Sequence, residues 1–494
     1  MKEKMYLSTR GNQQPLNFYE AILQGIGSDG GLLVPDFKVD KKDLKKLLDL
    51  HYIDLATEII STFTPDDVKE DIRQLCKSAY GTGLFPENVV PVEKAGDVYI
   101  TELFQGPTAA FKDMALSLLP YFMTFSLKQK GEEREVMILA ATSGDTGKAA
   151  LEGFKDVEGT SIKVFYPIDG VSPVQKQQMV TQTGQNVDVI GIRGNFDDAQ
   201  TAVKKAFNSQ ELKDLCEQHH VFLSSANSIN IGRLIPQIVY YFYSYLTLVK
   251  NKEIELGEEV NFTIPSGNFG NCLAGYIAKN MGLPIQRFIV ASNKNNILTD
   301  FFNTGRYDAN REFYKTNAPA MDILVSSNLE RLVYFLCEDA SLVKKYMDQL
   351  NETGVYEVDD DVFKKVQRYF TAGYLDEDKV LEVVGQCYRD TGYLLDTHTA
   401  IGYGVYKQYQ KETNDQTKTI LLSTASPYKF PGSVYQAISG EKLDEYKAVE
   451  ALNKKTNVSV PKPLQGIDKR EVLHTKVIDK ESIIDFIGEQ IKEL

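Results

Sequence analysis

Between residues 136 and 291 the chain switches repeatedly between two periods, and that alternation restricts its fold more than any other feature. A continuous apolar run (VMILAA at 136–141) and two further strand-like runs (SIKVFY at 161–166, VNFTI at 260–264) each give way to a turn and then to a stretch of helical composition. A run without polar alternation suits a strand covered by helices on both faces. Residues 186–192, 221–224, 285–291 and 419–422 read as further strands, and 146–154, 197–207 and 231–249 as helices. Ser172 and Pro173 place an N-cap and a first-turn proline before VQKQQMV, a good helix start. Repeated strand–turn–helix units predict an α/β fold with a mostly parallel sheet. The flanks differ. Residues 1–90 carry the turn GSDGGLLVPDF and two charged helical stretches, at 41–48 and 66–80, and form an N-terminal domain. Residues 91–292 are the α/β core. From 293 to 390 the alternation fades into charged, tyrosine-bearing helices, including 329–336 and 361–370, which reads as a helical insertion. Residues 391–494 return to the core.

A chain of 494 residues with 43% apolar and 25% charged side chains has ample material for two or three domains. Its 55 basic and 68 acidic residues leave a formal net charge of -13, which argues against nucleic acid or an anionic membrane as partner. A small anion bound by local groups is not excluded. Five scattered cysteines without a C-x-x-C pair, and five scattered histidines, offer no zinc spacing and suit a reducing compartment. The start MKEKMYLSTRG lacks the apolar segment of a signal peptide. The longest apolar stretch, 234–249, is interrupted by Pro236 and Gln237 and falls short of the roughly 20 residues a membrane span needs. The expectation is a soluble cytoplasmic protein.

Two glycine-rich turns join a strand to a helix: Ser143-Gly144-Asp145-Thr146-Gly147 and Ser266-Gly267-Asn268-Phe269-Gly270-Asn271. Such turns let backbone N–H groups and a helix N-terminus face one anion without a Cβ in the way. Neither fits the dinucleotide or Walker pattern, and tight turns of this kind are often glycine-rich for structural reasons alone. Two of them in one α/β core favour anion binding at the carboxyl ends of the strands. A third feature is FQGPTAAFKD at 104–113, where Lys112 stands inside an apolar helix start. A buried ammonium is costly unless it is paired or has reacted, and a Schiff base removes that cost. The plainer alternative is a solvated lysine beside a surface Asp113.

GPTAAFKD resembles the cofactor-lysine motif of the threonine synthases, enzymes that use pyridoxal 5′-phosphate (PLP) in the fold-type II architecture. The resemblance runs nearly end to end. YLSTRG at 6–11, DGGL at 29–32, ATSGDTG at 141–147, VSPVQKQQM at 171–179, NSINIGRL at 227–234, PSGNFGN at 265–271 and STASPYKF at 423–430 stand in family order. It is similar to the longer, bacterial and fungal branch. The resemblance implies two open parallel-sheet domains with a cofactor cleft between them, an N-terminal extension and a helical insertion. It implies that Lys112 holds PLP as a Schiff base and later carries protons. It gives Gly267, Asn268, Phe269 and Asn271 the cofactor phosphate, and Thr424, or the neighbouring Ser426, the pyridine nitrogen. Thr142, Ser143, Gly144, Asp145 and Thr146 then receive the substrate's α-carboxylate, and Ser228, Asn230 and Arg233 its phosphate. An arginine fork suits a pair of phosphate oxygens. Arg233 as a solvated helix end and Thr424 as an ordinary strand end are the plainer alternatives.

The implied reaction converts O-phospho-L-homoserine and water to L-threonine and phosphate by γ-elimination and β-addition. Its rivals are a PLP-dependent phospho-lyase giving 2-oxobutyrate and a non-catalytic small-anion-binding protein. Threonine dehydratase and cysteine synthase fit less well, given a phosphate site at Arg233. The expected assembly is a monomer or small homo-oligomer. Gln175 and Lys176 read as helix surface near the cleft, and His398 as structural. Three departures from the family pattern stand out. Asp145 replaces an asparagine of the shorter branch that bonds the cofactor's 3′-oxygen, and an ionised carboxylate has no proton to donate there. The glycine of YPIDGVS stands at Gly170, one place later than expected, and Tyr428 fills a position that is commonly small.

Overall fold

Two separate parallel sheets carry the α/β part of the chain. The computed structural model describes residues 3–142, 144–169, 171–194 and 196–494. One sheet has five strands in the spatial order Val477–Asp479, Val187–Arg193, Thr160–Pro167, Glu135–Ala141 and Val221–Ser224, all parallel. The other has six, in the order Phe370–Tyr374, Ile285–Ser292, Val260–Pro265, Thr419–Ser423, Val98–Glu102 and Val92–Ala95. Only the last of these is antiparallel to its neighbour. Parallel neighbours need helical crossovers, and helices covering both faces of a sheet bury its strands completely. Every residue of Thr160–Pro167, Val260–Pro265 and Thr419–Ser423 is indeed buried.

The Ile231–Lys250 helix lies at the centre, with Tyr240, Tyr241, Phe242 and Tyr245 fully buried. It is apolar nearly all round because it has protein on all sides. Among the described residues no helix is long and apolar enough to cross a membrane. The N-terminal part builds a three-stranded antiparallel sheet from Met5–Ser8, Leu16–Asn17 and Leu33–Pro35. Its Phe18–Gln24 helix starts at a capping box, Asn17 with Glu20, and the Tyr52–Ile60 helix packs on Ile231–Lys250. Residues 41–48 form only the single turn Leu44–Leu47, capped by Asp43.

The 293–390 segment, expected from its charge pattern to be helical, is not purely so. It supplies the parallel edge strand Phe370–Tyr374 of the six-stranded sheet and a small antiparallel pair, Arg306–Asp308 with Val355–Glu357. The edge strand begins at the C-cap of the Asp360–Tyr369 helix, so no turn residue marks the change. The chain end also departs from a simple return to one sheet. Thr419–Ser423 joins the six-stranded sheet, whereas Val477–Asp479 crosses to the edge of the five-stranded one.

Candidate active site

The strand Val98–Glu102 runs beside Thr419–Ser423, and the two chains stay together beyond the sheet. Leu103 N–H donates to Ser423 O (3.0 Å), Phe111 N–H to Thr424 O (2.8 Å) and Ser426 N–H to Ala109 O (3.1 Å). These bonds fix Lys112 beside the segment 424–426. Ala109 takes φ 60° in the turn. Asp113 folds back to accept from Thr108 N–H (2.8 Å) and its hydroxyl (2.6 Å), and burial pushes its carboxyl up to about 6. Asp113 is therefore no surface neighbour. Lys112 is half-buried, its amine 4.9 Å from the Phe111 ring centroid. Among the described residues that amine has no hydrogen bond or ion pair. Burial lowers its pKa, with Asp145 opposing and Arg233 and Lys429 reinforcing the shift. A desolvated, unpaired amine is what a Schiff-base lysine requires, so this position fits a carbonyl cofactor.

The Ser266–Asn271 loop joins Val260–Pro265 to the Gly270–Asn280 helix. Phe269, at φ 66°, turns the chain so that the helix N-terminus closes the loop. Asn271 spends its side chain on that shape. It accepts from Ser266 Oγ (2.7 Å) and Cys272 N–H (2.9 Å) and donates to Pro265 O (2.9 Å). Its amide thus acts on the loop, and the N–H groups of the turn are what remain for an anion. A Cβ at Gly267 would sit 2.9 Å from Ala320 O, so the covering 318–326 segment admits only glycine here. Asn268 is exposed at the side chain, while its carbonyl accepts from Asn328 N–H (3.0 Å).

The other glycine-rich loop follows Glu135–Ala141. Thr142 Oγ1 accepts from the N–H groups of Gly144 (3.0 Å) and Gly147 (2.9 Å), so this hydroxyl shapes the turn. Gly144 stands at φ 147°, where a Cβ would meet the Gln175 amide at 2.6 Å. Ser143 lies outside the described residues, as does Gly170; Thr146 is half-buried in the first helical turn. Asp145 opens the Asp145–Phe154 helix and pairs with Lys429 Nζ at 2.9 Å, while Gln175 Nε2 donates to it at 2.8 Å. Burial pushes its carboxyl up, and Lys429 and Lys112 more than reverse this, holding it below the usual carboxylate range.

Near the start of the Ile231–Lys250 helix, Arg233 is 4% exposed, which removes the reading of a solvated helix end. One Nη donates to Ala226 O (2.6 Å), but the buried Nε has no partner among the described residues, and burial lowers the group to about 10. A desolvated guanidinium with a free donor and no carboxylate fits an anionic ligand. Asn230 caps the helix, accepting from Gly232 N–H (2.8 Å) and donating to Ile22 O (2.9 Å), so its amide is committed to the fold. Ser228 is half-buried and offers its carbonyl to Asn328 Nδ2 (3.2 Å).

Thr424 is buried beside Lys112, and its hydroxyl makes no hydrogen bond among the described residues. Ser426 Oγ accepts from Tyr428 N–H (3.2 Å), which leaves its proton, like that of Thr424, for a ring nitrogen. Tyr428 points away, donating to Val458 O. His398 lies between Asp396 Oδ1 (3.0 Å) and Ala320 N–H (3.1 Å), a structural position. Sequence reasoning passed over Lys429, which is fully buried, and its partner Gln178. It also placed Gln175 on the surface, where the structure buries it at 2% exposure. A lysine inside apolar SPYKF was the same signal that singled out Lys112.

Two parallel sheets, a desolvated lysine on the loop between them and a glycine-rich anion cradle at a helix N-terminus define a PLP-dependent enzyme of fold type II. Residues 80–425 match the family described as pyridoxal-phosphate dependent enzyme, 5–80 threonine synthase N terminus, and 399–487 threonine synthase, C-terminal. The threonine synthase of Pseudomonas aeruginosa is 37% identical over 88% of this chain and 91% of its own length. The crystal structures of PLP-bound threonine synthase from Brucella melitensis (34% identity, TM-score 0.87) and of the yeast enzyme (32%, 0.88) each superpose on 99% of the chain. They are covered over 99% and 98% of their own lengths. The chain spans 59% of the threonine synthase-like 1 protein of Macaca fascicularis, at 38% identity. The chain belongs to the threonine synthase family.

Proposed function

We propose that this protein converts O-phospho-L-homoserine and water to L-threonine and phosphate. The observation that carries the reading is Arg233, a buried guanidinium with an unpartnered Nε in electrostatic reach of the Lys112 amine. A phosphate on the substrate supplies the anion it lacks, which an unphosphorylated amino acid does not. PLP, held by Lys112, supplies the electron sink for charge developing at the substrate carbons. The N–H groups of the Gly267–Asn271 turn hold the cofactor phosphate, and Thr424 offers its hydroxyl to the ring nitrogen. Backbone N–H groups at the start of the Asp145–Phe154 helix orient the substrate's α-carboxylate. Lys112, unpaired and with a lowered pKa, takes the proton from Cα and returns one there at the end. Ser228 and Arg233 hold the phosphate until it leaves.

The test is turnover of phosphohomoserine with threonine and phosphate both quantified; equal yields are expected. Release of 2-oxobutyrate without threonine would establish the phospho-lyase reading instead. Absence of a near-visible absorbance band, with no pyridoxyl-peptide at Lys112 after borohydride reduction, would establish an anion-binding protein. We further infer a cytoplasmic monomer or small homo-oligomer, in keeping with five free cysteines.

A further inference from the structure

Lys429 is fully buried, and none of the binding roles above accounts for it. It follows Thr419–Ser423 of the six-stranded sheet, whereas its partner Asp145 opens a helix on the five-stranded sheet, so their 2.9 Å ion pair bridges the two sheets. Glutamines of the Pro173–Val180 helix brace both ends: Gln175 donates to Asp145, and Gln178 accepts from Lys429. Lys429 also donates to Thr108 O (3.3 Å), on the turn that carries Lys112.

The amino end of a helix attracts anions, yet here the chain places its own carboxylate there. An incoming α-carboxylate would meet like charge unless Asp145 were neutralised. We propose that Lys429 is a positioning residue: by pairing with Asp145 across the two sheets, it lets the 142–147 loop accept the substrate's carboxylate and keeps the nearby Lys112 amine poised to lose its proton. The carboxylate half rests on the substrate reading above. The charges facing Lys112 are Asp145 and Asp113 on one side and Arg233 and Lys429 on the other. Removing Lys429 leaves Asp145 uncompensated and makes Lys112 more basic. Removing Asp145 does the reverse, and removing both nearly cancels.

Lys429→Met, Asp145→Asn and the double variant are compared with the parent as PLP-loaded enzymes. The near-visible absorbance is titrated between pH 6 and 10, and phosphohomoserine saturation is measured. The expected midpoint rises by about one unit in Lys429→Met, falls in Asp145→Asn and returns in the double variant. KM rises about tenfold in Lys429→Met and recovers when Asp145 is also neutral. A buried pair broken on one side destabilises a protein far more than one replaced on both, so the double variant serves if Lys429→Met does not fold. Its midpoint and KM then lie near the parent's and differ from those of Asp145→Asn. Midpoints that move the same way in both single variants, or a band flat throughout in all proteins, would overturn the proposal; so would a double variant whose KM stays as high as that of Lys429→Met or whose midpoint stays with that of Asp145→Asn. The absorbance arm needs no substrate, so an error in the substrate assignment leaves its outcome readable.

Discussion

An amine stripped of water and given no carboxylate releases its proton more readily than one at the surface, and this desolvation makes Lys112 useful. Lys112→Ala should abolish turnover and borohydride labelling while the circular dichroism spectrum stays that of the parent, because little core volume is lost. Retained activity would remove Lys112 from the chemistry. Arg233→Ala should raise KM for phosphohomoserine at least about tenfold, the cost of about one charge-assisted bond, with PLP absorbance unchanged. Loss of absorbance would move Arg233 to the cofactor's phosphate. Asp113 carries a pH dependence of its own. Its folded pKa of about 6 lies above the ordinary aspartate value of 3.8, so the folded state binds its proton more tightly. That contribution is complete below about pH 4 and is lost as pH rises to about 6. Compared with Asp113→Asn, the parent should lose on the order of 1–3 kcal/mol across that window in denaturant unfolding. Asp145 is present in both proteins, so its opposite dependence drops out of the difference. An unchanged difference between pH 4 and 6 would contradict this assignment. Lys112 was legible because glycine, proline and an apolar setting surround it in one short string. Lys429 carried the same local signal in SPYKF, but its role was not legible, because that role depends on Asp145, far away in the chain and on the other sheet.

Elements were legible where composition changed at their ends. The runs at 136–141 and 260–264 each end at a glycine-rich turn, and both appear as strands within a residue or so of their expected bounds. Phe370–Tyr374 leaves a helix without a turn and contains Gly373, so it carried no strand signal. Val98–Glu102, which leads to Lys112, escaped because it alternates only briefly after a charged hairpin. The insertion's purpose was hidden for a related reason. At the start of the Leu329–Cys337 helix, Asn328 Nδ2 donates to the carbonyls of Ser228 (3.2 Å) and Asn268 (3.1 Å), one on each of the two loops proposed to hold a phosphate. Arg331, fully buried, braces this amide at 2.6 Å and also holds Ile229 O and Leu33 O. The helix thereby fixes the two loops relative to each other. Asn328→Ala should weaken PLP retention on dialysis and phosphohomoserine saturation together, with a stability loss of about 1–3 kcal/mol for the unsatisfied groups. If one function changes without the other, the helix supports a single loop and does not couple them.

At the scale of the whole molecule, the N-terminal part is woven into the catalytic body. Thr9 and Arg10 both bond Glu330 of the insertion, at 2.5 and 2.8–2.9 Å, and Tyr80 OH donates to Met114 O (2.6 Å) two residues beyond Lys112. Much of this organisation was visible in the order of the motifs; the contacts that join distant motifs were not, since no local pattern encodes them. The net charge of -13 acquires a functional meaning from the same geometry. The proposed substrate, a phosphorylated amino acid, is itself anionic, so the molecule's long-range field opposes its approach, while the proposed capture rests on Arg233, loop N–H groups and a helix N-terminus that act only at contact. Salt screens the first far more than the second, because the Debye length falls from about 30 Å at 0.01 M to about 10 Å at 0.1 M, whereas buried pairs are screened little. Raising ionic strength across that range with a salt that does not compete for phosphate sites should therefore increase kcat/KM for phosphohomoserine, by about two- to fivefold. The kcat, measured at saturation, should stay nearly constant, since no approach is involved. A fall in kcat/KM with added salt would show that the cations lining the cleft steer the substrate from a distance and outweigh the field of the molecule as a whole.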